Sequence, residues 1–296
     1  MTRIAAASYP IEFLGGWQAY RAKMASMVAD AARAGAELAV FPEYGSMELV
    51  SLLAEDVRPS LEKQLEAMQA LLPDFLDLHA ELATKHRLTI LAASFPVRRA
   101  DGTYRNQAWL VGRTGRREMQ EKLQMTRFED EVWGISPGDE VRVFDTDIAR
   151  LGIAICYDAE FPRLVRRQID AGAEIILVPS CTESLWGYNR VRIAARARAM
   201  ENQCFTVQAP TVGSAPWSAA VDENVGAAGA FGPVDKGFPS DGIIATGEVN
   251  AAGWVFADLD FEAARRVRSE TAQVFNARDW LKEEPILAKP VRTGKV

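Results

Sequence analysis

The stretch Leu151-Gly-Ile-Ala-Ile-Cys-Tyr-Asp-Ala-Glu-Phe-Pro-Arg163 limits what this chain can fold into more than any other. It reads as an apolar strand that stops at Cys156, a sharp turn, and a helix starting near Phe161. A strand that is apolar on both faces belongs in a sheet covered above and below. The sheet holds its terminal cysteine rigidly and lets the sulfur point out of the sheet's end. The helix that follows aims backbone N–H groups and a partial positive charge at the same turn, which favours a thiolate and an oxyanion. The alternative at this point is a small buried core cysteine.

Composition narrows the chemistry. The 296 residues suffice for one large core or two ordinary domains. With 48% hydrophobic and 25% charged residues, the chain has an ordinary globular composition. Its net charge of −6 argues against a nucleic-acid or anionic-membrane partner. No apolar run nears the roughly 20 residues that span a bilayer, and the N-terminus turns polar too early for a signal peptide. Cys156, Cys181 and Cys204 are sparse and lack CxxC spacing, which suggests neither a disulfide framework nor a zinc site. A reducing, cytoplasmic location is therefore expected. The two histidines, His79 and His86, fall about two turns apart on one side of a predicted amphipathic helix, Leu61–His86, and read as surface residues. A nucleophile in this chain would then take its base from a carboxylate or an amine.

Taken in order, strands are predicted at Arg3–Ser8 and Leu38–Phe41. The helix between them, Gly16–Ala34, places Tyr20, Met24, Met27 and Val28 at helical spacing. Glu43 follows the second strand within Pro42-Glu43-Tyr44-Gly45. Open α/β sheets build sites at such strand ends, so Glu43 is a candidate acid, with a solvated turn glutamate as the alternative. Further strands are predicted at Leu88–Ser94, Asn106–Val111 and Arg117–Leu123. The last contains Lys122, which alone reads as a solvated edge residue. Thr126–Val141 is predicted to be irregular, and its Phe128, Glu129, Asp130, Glu131 and Trp133 suit a pocket wall. A strand over Glu174–Pro179 leads into Ser180-Cys181-Thr182-Glu183, followed by an arginine-bearing helix over Asn189–Gln203. Strands Cys204–Ala209 and Trp254–Asp258 bracket a glycine-rich section, and Phe261–Arg268 is a short helix. No repeat or low-complexity linker divides the chain. The alternation predicts one α/β domain with helices covering the sheet faces, and the number of strands suits two stacked mixed sheets.

These pieces carry a resemblance. Val40-Phe-Pro-Glu43 resembles the glutamate motif of the carbon–nitrogen hydrolase (nitrilase) superfamily. Glu121-Lys122-Leu, with Ser136-Pro-Gly-Asp and Val143-Phe-Asp-Thr after it, resembles the lysine motif. Gly152-Ile-Ala-Ile-Cys156-Tyr-Asp-Ala-Glu-Phe-Pro-Arg-Leu resembles the nucleophile elbow. Val178-Pro-Ser and Arg196-Ala-Arg-Ala-Met-Glu-Asn-Gln203 add to the likeness, which runs from about residue 3 to 258. The resemblance implies an α/β fold, a four-layer αββα sandwich of two mixed β-sheets flanked by helices. It implies a single domain over residues 1–280 and an extended tail over 281–296 that often reaches a partner subunit. It also implies a homodimer or higher homo-oligomer formed through the elbow-side helices, and neither metal nor organic cofactor.

The roles carried over are nucleophile for Cys156, general base for Glu43, and oxyanion stabilisation for Lys122 with the backbone N–H of Tyr157. A second glutamate in the loop after the lysine is expected at Glu129, with Glu131 as the alternative. Reference pKa values of about 4.3 for Glu and 8.5 for Cys leave a gap of about 4 units, so the pocket must favour proton transfer. Burial is expected to raise Glu43, and Lys122 with the helix N-terminus to lower Cys156. Tyr44, Trp133, Tyr157, Thr182 and Trp186 are expected to line the pocket. Nitrilases of this superfamily usually show Trp after the nucleophile, whereas Tyr157-Asp158 is similar to the amidase and carbamoyl-amine branches. The expected reaction is hydrolysis of a small linear amide or N-carbamoyl compound through a Cys156 thioester, releasing ammonia. Acyl transfer to an amine and nitrile hydrolysis are the alternatives.

Overall fold

A computed structural model describes residues 1–282, 284–291 and 293. Two mixed sheets form its centre. The first holds β1 (Thr2–Pro10), β2 (Leu38–Val40), β3 (Thr89–Leu91), β4 (Phe95–Arg98), β5 (Tyr104–Val111) and β6 (Arg117–Glu121). β1, β2 and β3 run parallel; β3 and β4 share one edge of β5, and β6 pairs with its other edge. The second sheet holds β7 (Val143–Asp145), β8 (Arg150–Ile153), β9 (Ile175–Ser180) and β10 (Phe205–Ser214). The short β11 (Glu223–Asn224), β12 (Gly229–Phe231) and β13 (Ile243–Thr246) extend from it. Its β8, β9 and β10 are also parallel. β14 (Gly253–Leu259) returns antiparallel along Thr2–Ser8 of β1.

The two sheets meet at one corner, where Tyr9 and Pro10 of β1 pair in parallel with Thr211 and Val212 of β10. The parallel strands of both sheets therefore point the same way. Their C-terminal ends open at one end of the molecule, where the loops bearing Glu43, Cys156 and Cys181 begin.

Helices cover the outer faces, giving the four-layer αββα sandwich. α1 (Trp17–Arg33) buries Tyr20, Met24, Val28 and Ala31 against the first sheet. α2 (Leu61–Met68) is capped by Ser60, whose hydroxyl accepts a bond from Lys63 N at 3.3 Å. The predicted helix Leu61–His86 is in fact interrupted by a 3₁₀ turn over Gln69–Leu71, and α3 (Leu72–His86) starts afresh with Pro73 in its first turn. A proline lacks the N–H that an unbroken helix needs there, but it fits a first turn. On the other face lie α4 (Pro162–Asp170) and α5 (Leu185–Asn202), the latter capped by Ser184. α6 (Phe261–Arg266) follows β14. Asn276–Asp279 forms a short helical turn before the expected extended tail; within that tail the end of Trp280–Lys282 and all of Glu284–Leu287 are helical turns, while residues 283, 292 and 294–296 lie outside the described set. No helix among the described residues is long and apolar enough to cross a membrane.

His79 is not a surface residue. It is fully buried on α3, with its ring 4.3 Å from that of Phe75, its Nδ1 2.8 Å from Phe75 O, and its Nε2 without a partner. The seven-residue spacing from His86 gives the side of the helix correctly, but only the end of that side reaches water. Burial lowers the His79 pKa to about 4, against about 6.5 in an unfolded chain. Protons therefore bind the unfolded state more readily, and His79 favours folding above pH 6.5. That contribution is lost as pH falls from 6.5 towards 4, by an amount on the order of 3 kcal/mol. A His79→Phe variant should show a shallower fall in thermal midpoint over this range than the parent; parallel profiles would refute the assignment.

Candidate active site

Lys122 lies just beyond the end of β6 rather than within the strand, and it is almost fully buried. Its backbone is fixed on both sides, because Lys122 N donates to Asn106 O at 2.9 Å and Gly138 N donates to Lys122 O at 2.8 Å. Its Nζ donates to Glu43 Oε1 at 2.7 Å and to Glu129 Oε2 at 2.6 Å. The two carboxylates hold the ammonium charged and well above the ordinary lysine range, against the opposing effect of burial.

Glu43 follows β2 on a short turn and is 1% exposed. Besides Lys122, it accepts Asn106 Nδ2 at 3.0 Å on Oε1 and the backbone N–H of Cys181 at 3.0 Å on Oε2. Burial raises its pKa, with Lys122 pulling the other way. Tyr44, next in the chain, has a left-handed φ of 52°. Its N–H donates to Ser94 Oγ at 2.9 Å, which helps hold this conformation. Its hydroxyl donates to Glu129 Oε1 at 2.8 Å.

The loop predicted to be irregular contains a π-helical turn, Phe128–Trp133. Positions i and i+4 of this turn, Glu129 and Trp133, face inward. Glu129 also accepts Thr126 N at 2.9 Å and Thr126 Oγ1 at 2.8 Å on Oε2. Burial acts to raise its pKa, but Lys122, the Thr126 amide and the Tyr44 hydroxyl together hold the group below the ordinary range. Glu131 points outward and pairs with Arg127 at 2.8 Å, so Glu129 is the acid that joins the cluster. The Trp133 ring packs 4.7 Å from that of Tyr44.

The strand expected to run to Cys156 ends at Ile153, and Cys156, three residues on, opens a 3₁₀ turn, Cys156–Glu160, with φ at 49°. The left-handed region is costly for a residue with a Cβ and marks a position that its surroundings enforce. The sulfur lies 3.8 Å from Cys181 O. The thiol was expected to be lowered, but it is raised well above its usual value. Burial is the main cause and the charge of Glu43 the next, with Lys122 only partly opposing them. The first turn bond runs from Asp158 N to Ile155 O at 3.0 Å, so the Tyr157 amide precedes the hydrogen-bonded ladder of the turn.

One cavity of about 490 Å³ contains Glu43, Lys122, Glu129 and Cys156, with Tyr44, Trp133, Tyr157 and Thr182 in its wall. Trp186 does not belong to it: the side chain is 82% exposed on the first turn of α5. Gly187, Arg190 and Val191 of that helix face the cavity, and Trp186, about 100° around the helix from Gly187, faces outward. Among the described residues, no group of three or more His, Cys, Asp and Glu side chains is placed to hold a metal ion.

Sequence reading missed three contributors. Asn106 binds Glu43 through its side chain and Lys122 through its carbonyl, and the only signal was an amide in an otherwise buried strand. The Cys181 amide acts through backbone, which no side-chain pattern reveals. Asp158, 2% exposed, accepts backbone bonds from both motif loops. Burial pushes its pKa up to about 7, opposed by Lys122 and by the amides of Gln124 and Leu123.

The chain is 40% identical over 266 residues to the "Probable hydrolase YhcX" of Bacillus subtilis, a match covering 90% of this chain and 51% of that protein. It is 26% identical over 187 residues to the chloroplastic omega-amidase of Arabidopsis thaliana, covering 60% of this chain and 49% of the relative. The chain thus matches about half the length of each relative. A carbon–nitrogen hydrolase from Helicobacter pylori G27 shares the fold, with a TM-score of 0.78 at 18% identity and 98% of each chain covered. The family model for carbon–nitrogen hydrolases matches residues 3–264, and the chain belongs to that family.

Proposed function

We propose that this carbon–nitrogen hydrolase is a thiol amidase. It would cleave a small linear amide or N-carbamoyl compound through a Cys156 thioester and release ammonia. The observation that carries the reading is the buried ammonium of Lys122 held between Glu43 and Glu129 in the same cavity as Cys156. The Arabidopsis relative is named an omega-amidase, which favours an amide over a nitrile.

In this reading the resting pair is a neutral thiol beside an ionised Glu43. A free thiolate would place a second negative charge against the carboxylate in a water-poor site. Glu43 therefore takes the thiol proton as sulfur bonds to the substrate's carbonyl carbon. The carbonyl oxygen becomes an oxyanion stabilised by Lys122 and the Tyr157 N–H. Glu43 returns the proton to the leaving nitrogen, the C–N bond breaks, and ammonia departs. Glu43 then takes a proton from a water molecule whose oxygen bonds to the thioester carbon, and returns it to the Cys156 sulfur as the C–S bond breaks and the carboxylic acid leaves. Glu129 holds Lys122 throughout, and Tyr44 and Trp133 supply an apolar wall.

We also propose that the protein forms a homodimer through α5. Trp186, Ile193 and Met200 recur every seven residues on one helix face and are 82%, 65% and 39% exposed. An apolar stripe of that kind is more often covered than left to solvent.

Glu43→Gln, Lys122→Ala and Cys156→Ala should each fold and lose roughly 10³-fold or more in kcat/KM for ammonia release from an aliphatic amide, ω-amide or carbamoyl amine. A Glu43→Gln protein with near-parental turnover would remove the base assignment, and turnover of nitriles alone would remove the amidase reading. The raised pKa of Glu43 sets the direction of the pH dependence. Activity needs the ionised carboxylate, so the acid limb of kcat/KM should lie above the range of an exposed glutamate and be lost as pH falls through it; a limb at the ordinary value contradicts this. By sedimentation at micromolar concentration the parent should be a dimer and a Trp186→Asp/Ile193→Asp variant a folded monomer. A monomeric parent would refute the α5 interface.

A further inference from the structure

We infer that Asp158 is a positioning residue that fixes Lys122 and Cys156 relative to one another, an inference resting on the roles proposed above for those two side chains. The carboxylate is almost fully buried two residues beyond Cys156. Oδ1 accepts Gln124 N at 2.7 Å and Leu123 N at 3.1 Å. Oδ2 accepts Leu123 N at 3.2 Å and Ile155 N at 3.3 Å. The amides it binds thus belong to the two residues after the lysine and the one before the cysteine. Among the described residues, no other side chain accepts backbone amides from both loops.

The bond from Ile155 closes a tight turn, because Asp158 N donates back to Ile155 O at 3.0 Å. Cys156 lies inside that turn, with its left-handed φ of 49°. A strained residue keeps its conformation only where several contacts agree on it, and Asp158 provides them from both ends of the turn. On the other loop, Lys122 is held at its own amide by Asn106 O and at its carbonyl by Gly138 N. Those bonds tie it to its own sheet and to the following loop, but not to the elbow. Asp158 supplies that missing connection. Without it, the first sheet's lysine and the second sheet's cysteine would be related through Glu43 and through the longer route from Gln120 by way of Arg142 and Gln168 to Ile153. A displacement of about 1 Å at such a site can cost on the order of 100-fold in rate.

The sign of one measurement separates this role from two simpler ones. Lys122 lowers the Cys156 thiol pKa, and negative charges nearby raise it. If Asp158 acted only as a charge, removing it would make Cys156 titrate at lower pH. If it acted only on overall stability, the profile of the folded protein would not move. If it places the lysine, the thiol should titrate at higher pH. The experiment is the pH profile of Cys156 alkylation by iodoacetamide, followed by peptide mass mapping, which needs no substrate. Asp158→Asn should move the profile upward and slow alkylation about tenfold at neutral pH. Lys122→Ala should do the same, and the double variant should be within about threefold of Lys122→Ala alone. Asp158→Glu, which keeps the charge but displaces it, should also shift the profile upward and serves if the Asn variant does not fold. An unmoved or lowered profile, or effects that multiply in the double variant, overturns the inference. A parent Cys156 no more reactive than the buried Cys204 would sink the nucleophile assignment itself, and the positioning role with it.

Discussion

The ammonium of Lys122 lies 2.7 Å from Glu43 and 2.6 Å from Glu129, with all three side chains almost wholly removed from water. Ions in such a place lose several kcal/mol each in solvation, and the loss is offset only if every partner is well aligned. Each carboxylate accordingly has donors besides the lysine. Glu43 has Asn106 and the Cys181 amide, and Glu129 has Tyr44 and both donors of Thr126. These partners come from both sheets and from the loop between β6 and β7. The cluster therefore ties both sheets to the intervening loop, and removing any one ion leaves the others less well compensated and lowers stability. Stability and site geometry depend on the same bonds.

What makes the assembly possible is the direction of the strands. β1 pairs with β2 in one sheet and, over its last two residues, with β10 in the other. That short parallel contact aligns the C-terminal ends of β2, β8 and β9. Each strand then ends in a turn rather than a long loop, and two of the site residues, Tyr44 and Cys156, sit in the left-handed region. Tight turns give up backbone comfort to aim a side chain or an amide along the strand axis. A longer loop would relieve the strain and blur the aim.

Much of this could be read from sequence, for a physical reason. A buried strand followed by a polar residue is a local pattern, so the ends bearing Glu43 and Cys156 were visible, as were the apolar faces that predict stacked layers. Lys122 was not interpretable from its own neighbourhood, since an edge lysine and a buried one look alike until the partner charges are known. Its reading came from the order of three motifs. Glu129 and Glu131 could not be separated either, because the choice depends on a π-helical turn that ordinary helical or strand periodicity does not predict. Trp186 and His79 were misplaced for a shared reason: local pattern gives the side of a helix, but which side meets a cavity, a core or solvent is set by tertiary packing. The Cys181 amide left no trace at all, because any residue type could supply it.

The lowered pKa expected for Cys156 and the raised one that burial and Glu43 impose lead to different accounts of where charge resides. At rest the cluster carries two carboxylates and one ammonium, and ionising the thiol in addition would put three negative charges around one positive. In the proposed reaction the count does not change. The proton leaving sulfur neutralises Glu43 as the new negative charge appears on the substrate oxygen. Lys122 thereby loses one anionic partner at the moment it gains another, while Glu129, held ionised below its ordinary range, keeps the ammonium in place. The site need not stabilise a free thiolate or create a new charge in a water-poor cavity. It needs only to let one negative charge move from a carboxylate to an oxyanion past a fixed cation, which is why the position of that cation matters more than the acidity of the thiol.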